Sequence, residues 1–164
     1  MISMKTTKTA IRAACAAAIL AGLPLSAAAD TLPITRANPE GAPDATGLGY
    51  SQVSIIETGR MAFISGQVAW TENFAPAPES LEDQAALVFK NATAILEGLG
   101  ATTHDLVMVR VYMTELTPER LDVVFPLILA WFDGAKPSLT GVGVAALAAP
   151  DLQLEIEMTV RLPE

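Results

Sequence analysis

The chain has 164 residues, 51% of them apolar, with 18 acidic against ten basic side chains and a formal net charge of −8. That is enough apolar material for one domain with a packed core. One Cys and one His give no disulfide framework, no Cys-His pair and no His/Cys metal centre, and the acid excess disfavours nucleic-acid binding, which needs cations against phosphate.

The first segment reads as an export signal. "MISMKTTKTAIR" carries Lys5, Lys8 and Arg12 and no acid, and "AACAAAILAGLPLSA" is apolar. "AAAD" supplies small residues for a cut after Ala29, and the run is too short to span a bilayer stably. Residues 1–29 are therefore expected to be a signal peptide, with Cys15 inside it as a small apolar residue. The mature chain would have 135 residues and no cysteine. Three of the ten basic residues and none of the acids leave with the signal, so its net charge is −11. The expected location is periplasmic or secreted, with no membrane attachment after cleavage.

Residues 30–49, "DTLPITRANPEGAPDATGLG", are rich in Pro, Gly and Asp and read as an extended leader. The domain proper is expected over residues 50–164. "SQVSIIETG" and "MAFISGQVAW" are predicted strands, and the turn-like "ETGR" between them suggests a β-hairpin.

Ser80 with Asp83 three residues on opens a predicted helix. Leu81, Ala85, Val88, Ala92, Ile95, Leu96 and Leu99 follow at helical spacing, and Gly100 closes it. In "DLVMVRVYMTEL", a strand, Val107, Val109, Val111 and Met113 form an apolar face and Met108, Arg110, Tyr112 and Thr114 the other.

Thr117-Pro118 opens a second helix, with Leu121, Val124, Phe125, Ile128 and Phe132 on its buried face. Pro126 should kink or divide it. "SLTGVGVAAL" and "LQLEIEMTVR" are the last two strands. The order β-β-α-β-α-β-β predicts a two-layer α+β domain, with helices on one face of a mixed sheet. The other face, bearing Met108, Tyr112, Glu155 and Glu157, suits an oligomer interface with polar margins.

Few side chains carry chemistry. His104 sits alone in "GATTHDL" and reads as a solvated loop residue. "GVGVAAL" lacks the helix and lysine of a phosphate loop. Asn91 heads a formal glycosylation sequon in mid-helix, which reads as chance. No metal is expected. Glu155 and Glu157 remain, on one face of the last strand and roughly 6.6 Å apart. On the residues alone they read as structural acids, with Arg110 a plausible ion-pair partner.

"GLGYSQ", "FISGQVA", "AALVFKNATAILEGLGAT", "DLVMVRVYMTEL" and "AWFDGAKPSLTGVGVAALAAPDLQLEIEM" resemble, in order, the motifs of the RidA/YjgF (Rid) family over about residues 46–161. The resemblance implies a chorismate-mutase-like fold and a homotrimer whose three sheets form a barrel, with clefts between subunits. It also implies cofactor-free hydrolysis of enamine/imine intermediates to ketoacids and ammonia. By the same resemblance Glu155 is the acid that activates water, and Tyr50, Ser65 and Gly66 line the cleft. Thr140 falls in the family's Pro-Ala-Arg-[Ser/Thr] motif, read here as Pro137-Ser138-Leu139-Thr140. Leu139 therefore stands where active members carry the arginine that grips the substrate carboxylate. A cleft asparagine aligns with Phe125, and a Cys or Thr with Gly141. The expected ligand is a small molecule. The readings are a metabolite-binding member with weakened imine hydrolysis, a genuine 2-iminobutanoate/2-iminopropanoate-type deaminase, and a non-catalytic, chaperone-like binding module. Export and the acidic charge oppose a ribonuclease or translation inhibitor.

Overall fold

A computed structural model describes residues 34–164; the expected signal peptide and its cleavage point lie outside them. Six strands and two helices follow one another: β1 (Ile34–Ala37), β2 (Val53–Ile56), β3 (Met61–Val68), α1 (Leu81–Gly98), β4 (Leu106–Thr114), α2 (Pro118–Phe132), β5 (Ser138–Val144) and β6 (Leu154–Arg161). β3, β6, β4 and β5 form one mixed sheet in that order. β6 runs antiparallel to both neighbours, and β4 and β5 are parallel, as a crossover through α2 requires.

The predicted hairpin between the first two strands does not form. β2 pairs with β1 inside the leader, and β3 takes β6 as its partner. A bridge between Ser51 and Ser138 ties this small sheet to the large one, so the ordered unit begins before Tyr50.

The helix starts follow their local chemistry. Ser80 Oγ accepts from the Asp83 amide at 3.0 Å, and Thr117 caps the Arg120 amide ahead of Pro118. α2 runs through Pro126 undivided. Proline removes one donor from the helix, but Val124, Ile128 and Phe132 remain anchored in the core around it.

Both helices cover one face of the sheet. Val109, Val111, Met113, Leu154, Ile156, Met158 and Val160 are buried against α1 and α2 in a single core. Each such side chain is worth roughly 1.5–3 kcal/mol when fully buried. Asn91 is half-buried, its amide donating to the Val68 and Trp70 carbonyls at 3.1 and 2.8 Å, so the sequon asparagine is a structural tie. No helix among the described residues is long and apolar enough to cross a membrane.

The opposite face is open. Phe63 on β3 is 82% exposed and Val142 on β5 is 36% exposed. Between them lie the polar side chains of β4 and β6.

Candidate functional site

Alternation along β6 puts Glu155 and Glu157 on the open face, between buried Leu154, Ile156 and Met158. The two acids differ in surroundings. Glu157 lies opposite Arg110, whose Nη1 donates to its Oε1 at 3.0 Å, and the Tyr112 hydroxyl donates to its Oε2 at 2.8 Å. The hydrogen bond to Glu157 is the main cause that raises the Tyr112 pKa. Glu157 is thus a satisfied structural acid, as the sequence suggested.

Glu155 has no hydrogen-bond or ion-pair partner among the described residues. Burial, and then the charge of Glu157, push its pKa above the ordinary glutamate value. A half-buried carboxylate with free lone pairs and raised basicity is suited to accept a proton from water.

The chain makes room for Glu155 at Gly66. The pairing of β3 with β6 slips between Ile64 and Gln67, leaving Ser65 and Gly66 in a bulge. The Glu155 side chain lies across Gly66: a Cβ there would stand 1.8 Å from Oε1. The Gln67 amide turns back and donates to the Ser65 and Gly66 carbonyls at 3.0 and 3.4 Å. Ser, Gly and Gln of "SGQ" therefore form the bulge, the gap and the brace. Sequence reading missed the brace, although glutamine beside a strand glycine was a usable signal.

Tyr50, Phe125 and Leu139 line a separate cavity of about 200 Å³, enclosed further by Val111, Met113, Leu116 and Gly141 among others. Its origin lies in β5. Leu139 and Gly141 pair with Val109 and Val111 and so share their helix-facing side. A Cβ on Gly141 would meet nothing within 4 Å, so β5 and α2 do not close on each other. Leu121, expected on the buried face of α2, is 40% exposed and lines this cavity. Tyr50 supplies the single phenol in an otherwise apolar lining.

The expected site residues therefore fall into two groups on opposite sides of the sheet. Tyr50, Phe125 and Leu139 belong to the cavity behind β5, whereas Glu155, Ser65 and Gly66 cluster at the β3–β6 pair. Thr140, next to Leu139, pairs with Arg110 and faces the open side. Lys136 does not reach the cavity as a substitute cation; its Nζ donates to the Thr46 carbonyl at 3.2 Å.

This is a two-layer α+β domain whose expected site residues lie on two sides of one sheet. The family described as Endoribonuclease L-PSP matches residues 40–162. The chain belongs to this family, the RidA/YjgF proteins. It is 32% identical over 109 residues to the RutC family protein YjgH of Escherichia coli K12, covering 66% of this chain and 81% of that protein. It is 30% identical over 103 residues to the E. coli K12 protein named "Putative reactive intermediate deaminase TdcF", covering 62% of this chain and 79% of that protein. Among solved structures it resembles the Rid-family protein YyfB of Yersinia pestis, of unknown function, with TM-score 0.73 and 35% identity over 78% of this chain and 98% of that one. RidA of an Antarctic Psychrobacter gives TM-score 0.58 and 30% identity over 78% and 99%.

Proposed function

We propose that this is an exported Rid-family protein that binds a small neutral or apolar metabolite in clefts between the subunits of a homotrimer. The observation that carries the reading is the apolar cavity at Leu139. An anionic imino acid needs a cation at its carboxylate, and a guanidinium supplies a bidentate, charge-assisted grip. Leucine supplies none, and among the described residues no charged side chain lines this cavity. The division of the half-sites between two sheet faces supports a neighbour completing each cleft, with Glu155 of one subunit opposite the Tyr50–Leu139 cavity of the next.

Imine hydrolysis is correspondingly weak in this reading. In that reaction a water oxygen adds to the C=N carbon while Glu155 takes the water proton and passes it to the imine nitrogen, giving the carbinolamine. Glu155 then carries the hydroxyl proton to the amine nitrogen as the C–N bond breaks, so that ammonia leaves and the carbonyl forms. Glu155 is available for this step, and that favours the second reading, a genuine deaminase that holds its substrate by another group. The net charge of −8 opposes a ribonuclease despite the family's description.

A thermal-shift screen separates the two readings. Neutral apolar compounds that fit about 200 Å³ should raise the melting temperature, whereas short carboxylates of similar size should not. Stabilisation by carboxylates alone would favour the deaminase. Export has its own check: intact-mass analysis of protein from cells should show a chain beginning at Asp30, and a dominant full-length cytoplasmic form contradicts it.

A further inference from the structure

Arg36, His104 and Lys136 line one groove of about 310 Å³, together with Ile34, Gly134 and Ala135. Acids outnumber Lys and Arg 18 to ten in this chain, yet among the described residues none lines this groove. Two cations beside an imidazole, with no acid in the described lining, run against the charge of the whole protein.

The Arg36 guanidinium is held in place by neutral groups only. Nη1 donates to Ser54 Oγ at 2.8 Å, and Nη2 donates to the His104 and Leu106 carbonyls. The one ion pair among the described residues joins Arg110 to Glu157, so Arg36 has no carboxylate partner there. Its burial lowers the pKa, the mark of a cation short of solvation. Carbonyls orient a guanidinium without cancelling its charge.

Lys136 is in no close ion pair among the described residues, and its Nζ donates to the Thr46 carbonyl at 3.2 Å. Asp44 is the acid that senses its charge, but the Asp44 carboxyl is held down first by the Thr46 hydroxyl and amide and least by Lys136. Asp133 caps the end of α2 one residue before the groove-lining Gly134 and is exposed. These two acids stand at the margin, and neither lines the groove.

We propose that this groove binds a small phosphate-type oxyanion, at a site separate from the Glu155 and Leu139 half-sites. A guanidinium fixed in place with an Nη1 hydrogen and Nε still unspent, an ammonium with two further hydrogens and an imidazole are donors such a group takes. The source is inorganic phosphate or the head of a phosphomonoester, which share this chemistry.

His104 is the only histidine, so its ring protons report this groove without overlap. The experiment is NMR of the mature chain at fixed pH and ionic strength, with chloride exchanged stepwise for inorganic phosphate. The His104 ring signals should move saturably, and Lys136→Gln should raise the midpoint about tenfold. Arg36→Gln should abolish saturation; because it also removes three hydrogen bonds, the lysine variant decides if it unfolds. A parallel titration with glycerol phosphate identifies the source: tighter binding than inorganic phosphate marks an esterified ligand, and weaker binding marks the free ion. A linear shift matched by chloride, or a saturable shift unchanged in Lys136→Gln, would overturn the proposal.

Discussion

Leu139→Arg is expected to raise imine hydrolysis by about ten- to 150-fold. A charge-assisted hydrogen bond is worth roughly 1.5–3 kcal/mol, which gives that range when it is expressed in the transition state. The new guanidinium has to reach solvent or the Tyr50 hydroxyl, since the lining is otherwise apolar and would leave a buried charge unsolvated. Some stability should be lost, because the leucine packs against the core. The readout is ketoacid release from an amino acid, with a dehydratase generating the imine in place.

Two glutamate variants check who acts. In the arginine background, Glu155→Gln should abolish the gain. Glu157→Gln should lower stability, because it breaks the ion pair with Arg110 and weakens the bond from Tyr112, while leaving most of the gain. Stability tells the acids apart as well. The Glu155 pKa is raised by burial first. Its contribution to stability is therefore full below the pKa of an unfolded glutamate and is lost as pH rises through the folded value. At neutral pH the charged form weakens the fold, so Glu155→Gln should be at least as stable as the wild type. Wild-type turnover equal to that of arginine-containing relatives would remove the case that Leu139 marks an altered ligand.

Gly66→Ala should disrupt the site more than any other single methyl group. The added Cβ would lie 1.8 Å from Glu155 Oε1, 2.5 Å from Cδ and 2.9 Å from Cγ. Moving the carboxylate tip alone cannot relieve a contact that reaches Cγ, so the whole side chain must change rotamer. Overpacking of this kind costs about 1–3 kcal/mol. Any hydrolysis gained by Leu139→Arg should vanish with it. The double variant Gly66→Ala/Glu155→Ala should recover most of the lost stability, since the clash needs both partners. Urea unfolding of the four proteins in this cycle measures the coupling. Additive losses would show that Glu155 does not occupy the space over Gly66.

The sequence made some of this legible and hid the rest for definite reasons. Period-two alternation in "LQLEIEMTVR" placed both glutamates on one face, and the same alternation in β4 put Arg110 there as a partner. Capping residues located both helix starts. Strand pairing was hidden because it is not local. The "ETGR" turn has hairpin composition, but the four-residue β1 lies among prolines and glycines that mask it, and β3 finds its partner about ninety residues away in β6.

The site was only half legible for a related reason. Leu139 and Thr140 are adjacent in a strand and so must face opposite sides, which already divides the expected residues between two faces. Periodicity gives the faces but not what covers them. Nor does it give the Gly66 gap, which depends on a bulge between distant strands. The cavity behind β5 follows from the missing side chain of Gly141, a feature that becomes visible only when α2 is seen not to fill it.

The central claim is that a second copy completes each site, because the Glu155 cluster and the Leu139 cavity lie on opposite sides of one sheet. Light scattering on the mature chain at micromolar concentration tests it most directly. The predicted result is a single species of three times the protomer mass. A clean monomer would contradict the account, because Glu155 and Leu139 would then never share a cleft.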